Sequence, residues 1–203
     1  MKKILTTAIL CAGLVGFTAC DSFLDEDPKS SLTLDTYYKT SADIIGNVNY
    51  LYRDGAPDKM GNMTGAYRGS SLSVMNMVTG YFVNEYEGQE VDCSYARQLT
   101  RQDFTQSCCN YLTNDTWKSC YKSINVANAV IKYVDGVEMD NQAQYKAEAR
   151  FFRALNYFYL VKMFGDVPMV TEPTEDATLV EYPTRTAASE VFNTVIIPDL
   201  QFA

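Results

Sequence analysis

Apolar residues return at helical spacing in several stretches of this chain, and irregular stretches separate them. In the first, Ile44, Val48, Leu51 and Tyr52 fall on one helical face. Thr40 stands just before them with Asp43 three residues on, a pairing in which each side chain satisfies a backbone group of the other. Gly55 and Pro57 end this helix. Residues 55–110 hold no steady period. Gly, Asn, Ser and Asp are frequent, and a short helix over 71–78 is expected from Leu72, Met75 and Val78. Beyond it aromatic and polar residues mix, through Tyr81, Phe82, Asn84, Tyr86, Tyr95 and Arg97. This is the least core-like part of the chain, and irregular surface segments carry function more often than packed helices do.

Two strong helices follow. Residues 114–135 place Trp117, Tyr121, Ile124, Asn128 and Ile131 on one face, which Ala127, Val130 and Val134 widen. Asn114 is a good cap, Asp115 suits the positive helix start, and Gly136 fits a left-handed stop. The second helix runs from about Gln142 to Phe164. Tyr145, Ala149, Phe152, Tyr159 and Met163 line one face, and Phe151, Leu155 and Phe158 line another, so packing on two sides is expected. Gly165 and Pro168 stop it. The short connection over 136–141 makes the two helices antiparallel neighbours. Residues 166–183, with three prolines, read as extended loop. A last helix starts near Thr186 on Val191, Phe192, Val195 and Ile196, and Pro198 should kink or break it.

The pattern therefore predicts an all-α fold of tetratricopeptide-like helix pairs joined by long loops. Each such pair needs a neighbour for its apolar side, and two or so pairs would be poorly covered at the end of the stack. The chain stops at Ala203 inside a helical pattern, so the fold is expected to be incomplete at its C-terminus.

The start of the chain follows a different grammar. Lys2 and Lys3 precede an apolar run over 4–17, which falls short of the about 20 residues of a membrane-spanning helix. Phe17, Thr18 and Ala19 then lead into Cys20. Small residues before the cut are what a signal peptidase accepts, and a cysteine directly after them is the pattern of bacterial lipoproteins, whose thiol takes the lipid. The expected parts are a signal peptide over 1–19, an acidic tether over 20–34 and a helical domain over 35–203. Lipidation is expected at Cys20. Loss of Lys2 and Lys3 moves the formal charge from −8 to −10.

Composition narrows the chemistry. At 47% hydrophobic and 21% charged residues the 203-residue chain reads as one globular domain. A net charge of −8 argues against nucleic acid and anionic lipid surfaces as partners. The chain has no histidine, which excludes a Ser-His-Asp triad, a Cys-His dyad and a histidine general base. Cys93, Cys108, Cys109 and Cys120 remain after the tether. With no C-x-x-C and no histidine a metal site is not expected, nor is a cofactor. An exported chain permits disulfides, and zero or one is expected among these four, whose pairing the sequence leaves open.

For a ligand, flat aromatic faces with amide or guanidinium groups beside them suit the C–H face and hydroxyls of a sugar. Tyr67, Arg68, Tyr81, Asn84, Tyr86, Tyr95 and Arg97 form the candidate set. Trp117 at helical spacing reads as core, Asn128 as an interhelical hydrogen bond, and Glu148, Arg150 and Arg153 as tethers between helices or solvent-facing charges.

These segments line up with a known family. The matching residues are Cys20 with Asp21, Ser22, Phe23, Leu24, Asp25 and Pro28; Trp117, Tyr121, Ile124, Ala127 and Asn128; the run AEARFFRALNYFYLVKMFGDVP over 147–168; and Pro183, Arg185, Val191 and Asp199 near the end. In order and spacing the chain resembles the N-terminal part of a SusD/RagB-like protein of Bacteroidetes. The resemblance implies a surface lipoprotein of the outer membrane that binds oligo- or polysaccharide or other nutrients and passes them to a TonB-dependent SusC-like transporter, without cutting them. Three other readings stand beside it. A helical-repeat adaptor for protein would show a broad apolar groove. A glycoside hydrolase would show two carboxylates about 5–10 Å apart in a cleft, and no motif points to such a pair. A non-functional fragment of a longer protein is the third.

Overall fold

A computed structural model describes residues 33–55, 78–82, 98, 100–103, 107–175 and 183–203. The chain divides after Thr33, and the unit Leu34–Ala203 carries every element described here. The expected 71–78 helix lies outside the described residues but for Val78. So do Cys20 and the 20–32 part of the tether.

The elements are α1 (Leu34–Tyr37), α2 (Ser41–Tyr50) with a π turn Leu51–Gly55, α3 (Ser107–Tyr133) with a 3-10 turn Val134–Gly136, α4 (Gln142–Phe164), strands β1 (Val167–Pro168) and β2 (Arg185–Thr186), then α5 (Ala188–Val191), a π turn Phe192–Ile196 and α6 (Ile197–Phe202). The fold is all-α, as the pattern predicts. The one departure among the described residues is small: β1, in the stretch read as loop, pairs antiparallel with β2 just beyond it, with Val167 opposite Thr186.

Asp43 caps α2 as expected. Its Oδ2 accepts from the Thr40 backbone N–H at 2.8 Å and from the Thr40 hydroxyl at 2.6 Å. The Thr40 bonds hold the Asp43 carboxyl below the usual carboxylate range. A group depressed in the folded state stabilises the fold above its unfolded value, and that help is lost as pH falls through the folded value. Asp43→Ala should therefore lower the melting temperature slightly at pH 7 and leave it unchanged near pH 2, as thermal scans at both pH values would test.

Ile44, Val48 and Leu51 are fully buried, but Tyr52 is 51% exposed and not on their face. The π turn explains this difference. Its wider i→i+5 spacing breaks the i→i+4 alignment of Tyr52 with Val48.

Helix α3 begins at Ser107, seven residues before the expected start, so Asn114 is an interior residue and not its cap. Gly136 is not left-handed either. It sits in the 3-10 turn, and the left-handed residue of this connection is Asn141, with φ 61°, directly before α4. Asn tolerates that region better than other non-glycine residues, so it can turn the chain there. Gly165, φ 70°, ends α4 as predicted.

The antiparallel pair α3–α4 is the centre of the fold. One core cluster joins Ile44 and Val48 of α2 and Leu51 of its π turn to Ala127, Val130, Val134, Ala149 and Phe152. The second joins Cys120, Ile124, Ala154, Tyr157 and Leu160 to Val191, Val195 and Ile196 of the last helical run. Helix α4 is thus packed on two sides, but the second side is that of Ala154, Tyr157 and Val161. Phe151 and Phe158, expected to be packed, are 42% and 39% exposed, with Leu155 half-buried between them. Pro198 does not break the last helical run. It stands at the start of α6, where a missing N–H is tolerated, directly after the π turn.

Candidate functional site

Of the seven ligand-site candidates, Tyr81 is the one among the described residues; Tyr67, Arg68, Asn84, Tyr86, Tyr95 and Arg97 lie outside them. Tyr81 stands on a tight turn over 78–82. Gly80 supplies φ 77°, a conformation that costs glycine little. The Tyr81 N–H donates to the Thr79 hydroxyl at 3.3 Å, and the Gln102 amide donates to the Val78 carbonyl at 3.3 Å, tying the turn to residues 100–103. On this braced turn Tyr81 is 89% exposed and the next residue, Phe82, 56%. Tyr81 and Phe82 thus present two consecutive aromatic side chains to water. Phe82 was not in the sequence-derived set. Its place beside Tyr81 was visible there, but its exposure was not.

The residues read as structural take structural roles. Trp117 packs against Tyr121 and Phe164, with ring centroids 4.9 Å and 5.1 Å away. Arg153 is 8% exposed and holds Asp199 with two bonds, Nε to Oδ2 at 2.6 Å and Nη2 to Oδ1 at 2.9 Å. Its Nη1 donates to the Asn128 side-chain oxygen at 2.9 Å, so three elements meet at one guanidinium. Arg150 adds a longer ion pair to Asp199 at 3.8 Å and covers the Phe202 ring. Asp199 was quoted only as part of a motif; that it is the buried partner needed the tertiary contact.

Asn128 continues this network into the extended segment 165–175. Its amide nitrogen donates to the Val170 and Glu172 carbonyls at 3.0 Å and 3.2 Å. The Tyr157 hydroxyl donates to the Val170 carbonyl at 2.8 Å and accepts from the Val170 N–H at 2.7 Å. The Tyr121 hydroxyl donates to the Pro168 carbonyl, the Asn125 oxygen accepts from the Thr174 N–H, and Lys132 with Tyr133 binds Glu175. Helix side chains thereby satisfy the backbone of a segment with little sheet of its own. The lysine and tyrosine bonds hold the Glu175 carboxyl below its ordinary range.

Cys120 is a free, fully buried thiol, and burial pushes its pKa up to about 12. Thiolate chemistry at neutral pH is thereby disfavoured. Cys120 should resist iodoacetamide at pH 8 in the folded chain and react once urea unfolds it; fast native labelling, read by mass spectrometry, would contradict this burial. Cys93 lies outside the described residues, as do the side chains of Cys108 and Cys109. Among the described residues no cluster of potential ligands could hold a metal ion, and no helix is long and apolar enough to cross a membrane.

Comparison with known proteins adds to this geometry. A SusD-like family model, described as starch-binding and associating with the outer membrane, matches residues 22–203. Two SusD-like proteins of Formosa agariphila are similar, one 27% identical over 91% of the chain and 34% of the relative, the other 28% identical over 100% of the chain and 38% of the relative. A SusD-like protein of Bacteroides ovatus is 27% identical over 98% of the chain and 33% of its own length. A crystal structure of a SusD superfamily protein from Parabacteroides distasonis superposes with a TM-score of 0.62 at 25% identity, covering 78% of this chain and 32% of that one. The chain spans about a third of the length of the curated relatives it matches.

Proposed function

The chain belongs to the SusD-like family, and on that premise we propose that it is the N-terminal part of a lipid-anchored outer-membrane protein that binds glycans and passes them to a SusC-like transporter. The observation that carries the binding reading is the braced turn with Tyr81 and Phe82 in water. An aromatic face there stacks on the C–H side of a pyranose, while amides and guanidinium groups nearby in sequence serve the hydroxyls. On this reading the protein captures its glycan without cutting it, in keeping with a family described as starch-binding.

The anchor is Cys20, with the acidic stretch after it as tether and the helical unit as cargo. Both parts of the reading are open to test. Tyr81→Ala should weaken binding of a glycan found by array screening about tenfold or more. Cys20→Ala should release the protein from the membrane fraction with its helical circular dichroism unchanged. Peptide binding without any glycan binding would favour a helical-repeat adaptor instead.

A further inference from the structure

The π turn that displaces Tyr52 from the core has a second effect. It stands the ring edge-on to Phe152, with centroids 4.7 Å apart. Phe151 stands edge-on to the same Phe152 ring at 5.4 Å. One buried ring thus props up two partly exposed ones, Tyr52 at 51% and Phe151 at 42%. Polar groups lie beside them. The Tyr52 phenol lies beside the Glu148 carboxylate, and burial, followed by the Glu148 charge, pushes its pKa up. The Gln144 amide donates to the Glu148 Oε1 at 2.9 Å. Gln144 and Glu148 are one turn apart on α4, with Phe151 and Phe152 on the next turn.

Two fixed aromatic rings flanking a carboxylate–amide pair are the parts a sugar site needs. Rings cover the apolar C–H face, a carboxylate accepts from two hydroxyls, and an amide both donates and accepts. The ring pair is pre-set by Phe152, and Gln144 already orients Glu148, so less side-chain freedom is lost on binding. We propose that Tyr52, Phe151, Glu148 and Gln144 form a second saccharide site, on the outer face of the helical unit, that takes a neutral pyranose. The carboxylate selects against acidic sugars, because a second anion beside it would be repelled. This inference rests on the glycan reading above but uses none of the residues of the Tyr81 turn.

Titration calorimetry with a panel of neutral oligosaccharides (maltoheptaose, cellohexaose, xylohexaose and mannohexaose) tests it. The wild-type chain should bind at least one of them at two sites. The Tyr52→Ala, Phe151→Ala double variant should lose one site, with an affinity loss of about tenfold or more there. Glu148→Gln, which hardly changes volume, should weaken the same site and serves if the double variant misfolds. Two sites with unchanged affinities in folded variants would overturn the inference. So would a single site abolished by Tyr81→Ala and indifferent to the Tyr52 and Phe151 changes, which leaves the glycan reading standing. A single site lost with Tyr52 and Phe151 and kept in Tyr81→Ala would support the inference and remove Tyr81 from the reading. No binding of any of the four would overturn both.

Discussion

Asp199→Ala should destabilise the fold by about 3–5 kcal/mol, the range for breaking a buried ion pair by removing one partner. Asp199 is 2% exposed and receives both remaining arms of the Arg153 guanidinium. Without the carboxylate, Arg153 keeps the Asn128 oxygen and a long bond to the Thr171 carbonyl, and its charge stays buried. The penalty comes from the stranded cation more than from the lost attraction. An apolar replacement of both partners, Arg153→Met with Asp199→Leu, should therefore recover most of the loss. Urea titrations of the two variants beside the wild type would show this as shifts in midpoint at constant slope. A loss under about 1 kcal/mol for Asp199→Ala would mean that water reaches the pair.

Tyr157→Ala should cost a similar amount, about 3–5 kcal/mol, by opening a cavity in the second core cluster. Tyr157 is fully buried, and its hydroxyl serves both the N–H and the carbonyl of Val170. Tyr157→Phe separates the two contributions. It keeps the ring and leaves the Val170 N–H short of a partner, while the Val170 carbonyl keeps the Asn128 amide, for about 1–3 kcal/mol. If Tyr157→Phe proves neutral, the other side chains that bind the segment 165–175, Asn128, Tyr121 and Asn125 among them, are enough to hold it. Burial pushes the Tyr157 phenol up to about 12. The folded value lies above the unfolded value of about 10, so this residue's stabilisation is complete below pH about 10 and falls as pH rises toward 12. Tyr157→Phe should remove that part of the alkaline loss.

Much of the helical unit was legible in the chain. The face of α3, one face of α4, the Asp43 cap, the Gly165 stop and the antiparallel pairing follow from periodicity and from local backbone chemistry, which short windows of sequence express well. The errors fell where neighbours decide. The π turn moved Tyr52 off the face that i→i+4 spacing assigned to it. The side of α4 that packs on the last helical run is that of Ala154, Tyr157 and Val161, and the larger Phe151 and Phe158 stay partly in water. Hydrophobicity ranks residues by their wish to be buried, but which face is covered depends on where the next element lies.

The site divides in the same way. Sequence selected Tyr81 because irregular, aromatic-rich stretches suit ligands, but it could not show that the Tyr81 and Phe82 rings stand in water on a braced turn. It read Asn128 as an interhelical hydrogen bond and Arg153 as a tether or a solvent-facing charge, without showing that Asp199, 46 residues on, buries and pairs the arginine. By itself, then, the sequence determined the main helices of the described unit, their pairing and the family, because these are written in local spacing and short motifs. Only the tertiary structure decided which aromatic rings are core and which are exposed, and which charge neutralises Arg153. Exposure and ion pairing are properties of residues brought together from distant parts of the chain.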